Sequence, residues 1–242
     1  MGGAAGRDRR SISHGSSSVR RALRLLLLNP NTNPDTTRSM LAIAQAAAPA
    51  GTVLDSATAA TGALLITTPG TLAAVATAIV SAVRNMDTAG YDGVIVAAFG
   101  DPGLDDLRRL LPQPVTGIAE AGMAEAASLG PFTVVTTTPN LVDAITAAAL
   151  RYGHAALFRG VRVTPGVPEE VMADAERLHA ALLAECWNAV RLDGAAGVVI
   201  GGGPLAVAAR ALGLVLPLPV IEPVPAAVRL AAARAYRGPL VG

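Results

Sequence analysis

The chain has 242 residues, 52% of them hydrophobic and 15% charged, with a formal net charge of +1. That is apolar surface enough for one substantial core or two small domains sharing a cleft, and it excludes a largely disordered chain. A near-zero charge offers no basic field to a phosphate backbone, so nucleic acid is not an expected partner. All 19 basic residues are arginine, which removes lysine Schiff-base and P-loop chemistry. The single cysteine, Cys186, excludes an internal disulfide and a Cys-rich metal site, and His14, His154 and His179 are too scattered for zinc. The expectation is no metal and no cofactor.

Residues 1–22 are rich in Ser, Gly and Arg without an apolar core and read as a disordered tail. The Arg9-Arg10 pair lacks the apolar stretch that a twin-arginine signal requires. Short apolar runs then alternate with Ala-rich helical stretches. Strands are expected at 24–29, 52–57, 93–98 and 114–118, and again at 132–137, 158–164, 197–201 and 219–222. Helices are expected at 36–48, 71–85 and 104–111, then at 140–152, 168–192, 204–212 and 225–236. Ser56–Val83 carries no charge and Gly194–Ile221 carries only Arg210, but proline and glycine interrupt both. They read as buried strand–turn–helix units, not membrane spans, and a cytoplasmic protein is expected.

Strands apolar on both faces, separated by helices, mean βαβ units and parallel sheets. The two halves also rhyme. LLLLNPNTNPD in the first matches TVVTTTPNLVD in the second, and VIVAAFGDPGLDD matches VVIGGGPLAVAA, with Ala98 and Gly202 in the same place. The expected fold is therefore α/β, two pseudo-twofold-related domains, each a parallel sheet flanked by helices, with a ligand cleft between them. The first domain is expected over 23–118 and the second over 119–224, with the boundary in Ala119–Gly130. The helix 225–236 is expected to pack back on the first domain.

Open sheets bind ligands beyond their strand carboxyl ends. Asn29, Asn31 and Thr32 follow the first strand and can offer donors and acceptors to a carboxylate or amide ring, or serve as caps and Asx turns. Thr136, Thr137 and Thr138 make a hydroxyl-rich turn at the matching place, and Gly201-Gly202-Gly203-Pro204 permits close ligand approach. Asp101 and Glu222 sit at strand ends, where an acid or base could work or a carboxylate could cap a helix. Cys186 lies at core spacing with Leu178, Leu182 and Val190 and reads as buried and inert.

The segments LLLLNPNTNPDTT (25–37), YDGVIVAAFGDPGLDDLR (91–108), PVTGIAEAGMAEA (114–126), FTVVTTTPN (132–140), DGAAGVVIGGGP (193–204) and PVIEPVPAAVRLA (219–231) resemble the Asp/Glu/hydantoin racemase superfamily, and within it the hydantoin and allantoin racemase branch. The resemblance implies two α/β domains, a small-molecule substrate, no cofactor and a homo-oligomer. It also implies one cysteine in each domain, on opposite faces of the substrate, one removing the α-proton and the other delivering a proton. Those positions are Ala98 and Gly202 here, and neither residue can carry a proton. Arylmalonate decarboxylases, of the same superfamily, keep the second cysteine, which this chain also lacks. The binding elements carried over are Asn29, Asn31, Thr32, Phe99, Gly100, Thr136, Thr137 and Gly203, with room enlarged where the thiols would stand.

Three functions are therefore expected in contest. The first is a cofactor-independent enzyme on a small carboxylate, imide or cyclic amide, working by elimination, decarboxylation, cyclisation or tautomerisation, with Asp101 and Glu222 as candidate catalytic groups. The second is an inactive homologue that binds a small acid. The third is a racemase using non-cysteine acid/base residues.

Overall fold

The computed structural model describes residues 21–237. The expected tail over 1–22 and its Arg9-Arg10 pair lie outside the described residues, apart from Arg21 and Ala22. The first half runs β1 (Arg24–Asn29), α1 (Pro34–Ala47), β2 (Val53–Thr58), α2 (Pro69–Arg84), β3 (Gly93–Val96), α3 (Leu104–Leu110) and β4 (Val115–Gly117). A helix, α4 (Ile118–Leu129), leads into β5 (Phe132–Thr136), α5 (Val142–Arg151), β6 (Phe158–Val163), α6 (Pro168–Ala173), α7 (Ala175–Asp193), β7 (Gly197–Ile200), α8 (Ala206–Leu212), β8 (Val220–Ile221) and α9 (Pro223–Arg237). The two sheets, ordered β2-β1-β3-β4 and β6-β5-β7-β8, are parallel throughout. Their orders superimpose under a shift of four strands, as the repeated sequence pattern requires.

Strand alternation explains the layers. Side chains on a strand point to opposite faces in turn. Leu25 and Leu27 enter a central cluster, whereas Leu26 and Leu28 pack outward with Ile79 of α2 and Leu107 of α3. In the second sheet Phe132 and Val134 join the central cluster, and Val135 packs outward with Leu182 and Cys186 of α7. One apolar layer is thus shared by both sheets. Its filling comes from Met40 of α1, Met123 of α4 and Val228 of α9.

Two helices differ from the sequence reading. The segment expected as a domain boundary, Ala119–Gly130, is α4. Its residues IAEAGMAEAASL give little polar alternation because half of them are buried, between α9, α5 and both sheets. The single helix expected over 168–192 breaks at Asp174, whose carboxylate accepts from the amides of Glu176 and Arg177 at 3.0 Å each and caps α7 anew.

α9 returns to the first sheet and to α4. Arg234 donates to Thr116 Oγ1 at 3.0 Å and to Glu120 at 2.9 and 2.8 Å, and Arg108 of α3 donates to the same carboxylate at 2.8 and 2.7 Å. Burial alone would raise the Glu120 pKa, but the hydrogen bonds from Arg234 and then Arg108 outweigh it and hold the group below its usual 4.5. A depressed carboxylate contributes stability above its unfolded pKa, and that contribution is lost as pH falls through the folded value. Glu120→Gln is expected to destabilise the protein by about 1–3 kcal/mol at neutral pH, since two guanidinium groups lose their charged acceptor. In urea titrations from pH 7 down to below 4.5, the variant should lose less of its stability than the parent; an equal loss would contradict this role.

Candidate functional site

Equivalent strand ends from both sheets converge on one cavity of about 530 Å³, counting its open mouth. β3 delivers Ala97, Ala98 and Phe99; β7 delivers Gly201, Gly202, Gly203, Pro204 and Leu205. Ala98 and Gly202 each stand two residues past the end of their strand. β1 and β5 contribute in the same way: Asn31 follows Asn29 by two, and Thr138 follows Thr136 by two. The remaining wall is apolar, with Leu65 and Ile66 from the β2–α2 loop, Leu141 and Ile145 from the start of α5, and Met172 from α6.

Six of the expected binding residues line this cavity: Asn31, Ala98, Phe99, Thr137, Gly202 and Gly203. Asn29 does not. It is fully buried and donates to Asn31 Oδ1 at 2.8 Å and Thr37 Oγ1 at 2.9 Å, while its Oδ1 accepts from the Asn31 amide at 3.1 Å. Asn29 builds the turn that presents Asn31. Since Asn31 Oδ1 also accepts from the Asn33 amide, the group Asn31 keeps for a ligand is its Nδ2 donor. Thr136 is likewise internal, donating to the Gly201 carbonyl at 2.7 Å and tying the ends of β5 and β7 together. Thr32 and Gly100 also lie off the lining; the Thr32 amide is spent on Ala63 of the β2–α2 loop, and Gly100 abuts Leu72 of α2.

The two candidate carboxylates are not among the lining residues. Asp101 accepts from the amides of Ala119 at 2.9 Å and Glu120 at 2.7 Å and from Tyr152 Oη at 2.6 Å. Burial pushes its pKa up to about 6 against the pull of those three donors. Glu222 sits between β8 and α9, with Oε2 3.4 Å from Arg210 Nε. Cys186 is fully buried on α7, and burial pushes its thiol up to about 12. Among the described residues, the cavity lining therefore holds no Asp, Glu, His, Lys, Arg, Tyr or Cys.

The glycine run has one permissive position. A Cβ on Gly201 would fall 2.9 Å from Phe99 and Val134, and one on Gly203 would fall 2.9 Å from Met40 Sδ. On Gly202 it would meet only Leu205 side-chain atoms, at 3.1 Å. The expected spare room at Gly202 is thus occupied, because Leu205 folds against it. The amides of Phe99, Gly202 and Gly203 make no hydrogen bond among the described residues. Asn31, Thr137 and Thr138 are the lining residues with polar side chains among those described, and the rest of the wall is apolar or glycine. Among the described residues, no group of three or more His, Cys, Asp or Glu is placed to hold a metal, and no helix is long and apolar enough to cross a membrane.

Sequence reasoning missed Leu65, Ile66, Leu141, Ile145, Met172 and Leu205. Nothing local marks them, since apolar residues of a cavity wall and of a core look alike in sequence. Thr138, by contrast, belongs to the hydroxyl-rich turn already visible in the sequence.

Two repeated parallel-sheet domains with an open-mouthed chamber at their strand ends define an α/β protein with a small-molecule-sized cleft. The chain belongs to the Asp/Glu/hydantoin racemase family, whose description matches residues 25–231. It is 30% identical over 214 residues to a hydantoin racemase from Paenarthrobacter aurescens, covering 86% of this chain and 89% of that one. Among solved structures it is similar to an allantoin racemase from Klebsiella pneumoniae, with a TM-score of 0.81 and 31% identity over 87% of this chain and 86% of that one. An allantoin racemase from Pseudomonas fluorescens gives 0.83 and 28%, over 91% and 98%.

Replacing Asn29 by Ala removes an acceptor and a donor from a buried turn. The variant is expected to lose about 1–3 kcal/mol in chemical denaturation. A loss within 0.5 kcal/mol would contradict the anchoring role.

Proposed function

We propose that this chain binds a small carbonyl compound, a cyclic amide, imide or carboxylate, in the chamber between its domains without inverting a carbon centre by paired thiols. The observation that carries this reading is that, among the described residues, no titratable side chain lines the chamber. Two-base inversion needs an acid and a base within hydrogen-bond reach of one carbon, on opposite faces. In our reading those places fall at Ala98 and Gly202, which supply a methyl group and a hydrogen. What the lining does supply suits recognition. Amide donors from Phe99, Gly202 and Gly203 and Nδ2 of Asn31 fit carbonyl oxygens, and the threonine hydroxyls fit ring N–H groups.

A second reading is favoured by the likeness to hydantoin and allantoin racemases over most of the chain. In it, the chamber turns over such a ring, with the proton carried by water or by the Thr137 or Thr138 hydroxyl. Elimination, decarboxylation, cyclisation and tautomerisation belong here, since they need one proton step or none. Neither Asp101 nor Glu222 is given a proton-transfer role, because the first spends both oxygens on capping and the second pairs with Arg210.

Restoring the missing groups separates binding from chemistry. Gly202 has extended backbone at φ 160°, and a new side chain there asks Leu205 to yield by a few tenths of an ångström. Calorimetry of the parent with a panel of hydantoins, allantoin and malonates is expected to find a saturable ligand. The doubly substituted Ala98→Cys/Gly202→Cys chain is then expected to racemise that ligand when the ligand carries an α-proton. Turnover by the parent itself would favour the second reading, and no binding by any panel member would defeat both.

A further inference from the structure

We infer that Asp101 is a positioning residue that clasps the two domains together and thereby sets the Ala98–Phe99 turn of the chamber against the second domain. The clasp is independent of what fills the chamber. Asp101 lies on the β3–α3 turn, three residues past Ala98. Its carboxylate reaches two other elements at once: the first turn of α4, through the amides of Ala119 and Glu120, and the end of α5 in the second half, through Tyr152 Oη.

Several features mark this junction as built rather than incidental. Asp101 is the one non-glycine residue with positive φ among those described, at 51°, a region that costs an L residue energy. Gly117 has no side chain where one would collide, since a Cβ there would fall 2.2 Å from the Asp101 carboxylate carbon. Tyr152 is itself held, accepting from Arg151 at 3.2 Å while that guanidinium lies over its ring at 4.9 Å. The turn behind the carboxylate is tight, with the Asp101 amide bonded to the Ala98 carbonyl at 3.0 Å and the Leu104 amide bonded to the Asp101 carbonyl. Any movement of α5 relative to the first sheet must therefore pull on a turn that ends in the chamber wall.

The clasp is sensitive to protonation. Tyr152 and Arg151 face Asp101 from α5, Glu120 faces it from α4 with Arg108 and Arg234 bound behind, and Asp105 and Asp106 of α3 line the same outer hollow. Burial dominates and lifts the Asp101 pKa to about 6, above its ordinary 3.8. A raised carboxylate adds stability below its unfolded pKa, and that is lost as pH rises through the folded value. The window is pH 4 to 6. The Tyr152 hydroxyl opposes the shift by donating to the charged form.

Tyr152→Phe tests this in the ligand-free full chain, because it removes the hydroxyl and keeps the ring. Amide exchange at Asp101 and Ala119 is expected to quicken roughly tenfold, the equivalent of one lost hydrogen bond, while β1 and β7 amides stay unchanged. The Asp101 carboxyl, followed by its ¹³C shift, should titrate at a higher pH in the variant. Adding Tyr152→Phe to Asp101→Asn should add little local exchange beyond Asp101→Asn alone. Uniform quickening across the core, an unmoved titration, or additive effects would each overturn the clasp.

Discussion

The shared apolar layer between the two sheets is what the rest of the structure hangs on. β1 and β5 send alternate residues, Leu25 and Leu27 from one and Phe132 and Val134 from the other, into the same cluster. Because both sheets bury their inner face there, their carboxyl ends are held over a common space. Each buried leucine or phenylalanine is worth about 1.5–3 kcal/mol against exposure, so the layer far outweighs any single polar contact at the cleft. The polar groups then decide geometry rather than stability. Asn29 and Thr136 lock the strand ends, and their neighbours two residues on face the chamber.

This arrangement separates scaffold from chemistry. The scaffold is that of the racemase family. What the chamber presents is donors, hydroxyls and hydrocarbon. Of the candidate carboxylates, Asp101 is spent on a helix start, and Glu222 lies off the lining, 3.4 Å from Arg210 with its Oε2 making no hydrogen bond. A carboxylate that accepts three hydrogen bonds has few lone pairs left for a substrate proton, and burial makes its charge costly. Fold membership does not by itself fix an activity, and the lining residues are what a functional reading must rest on.

Much of this was legible in the sequence. Double-sided apolar runs such as Leu25–Leu28 and Val198–Ile200 announce parallel strands, and the repeated turns announced the twofold arrangement and the equivalence of Ala98 and Gly202. Helix α4 was not legible, because a helix covered on several sides has no polar stripe to reveal its period. Nor was the break at Asp174, where one capping side chain divides an otherwise continuous helical pattern. The sequence left the roles of Asn29, Thr136 and Asp101 open between ligand contact and local capping for a shared reason. A polar residue at a strand end looks the same in sequence whether its side chain turns toward ligand or toward its own backbone.

The most direct test of the central claim is proton NMR in D₂O of a cyclic amide bound by the chain, followed at its α-proton. The account predicts saturable binding with the α-proton retained at the uncatalysed rate at any protein concentration. Loss of that signal in proportion to added protein would contradict it, since it would mean proton transfer by the threonine hydroxyls or water in a chamber whose described lining holds no carboxylate, imidazole, amine or thiol.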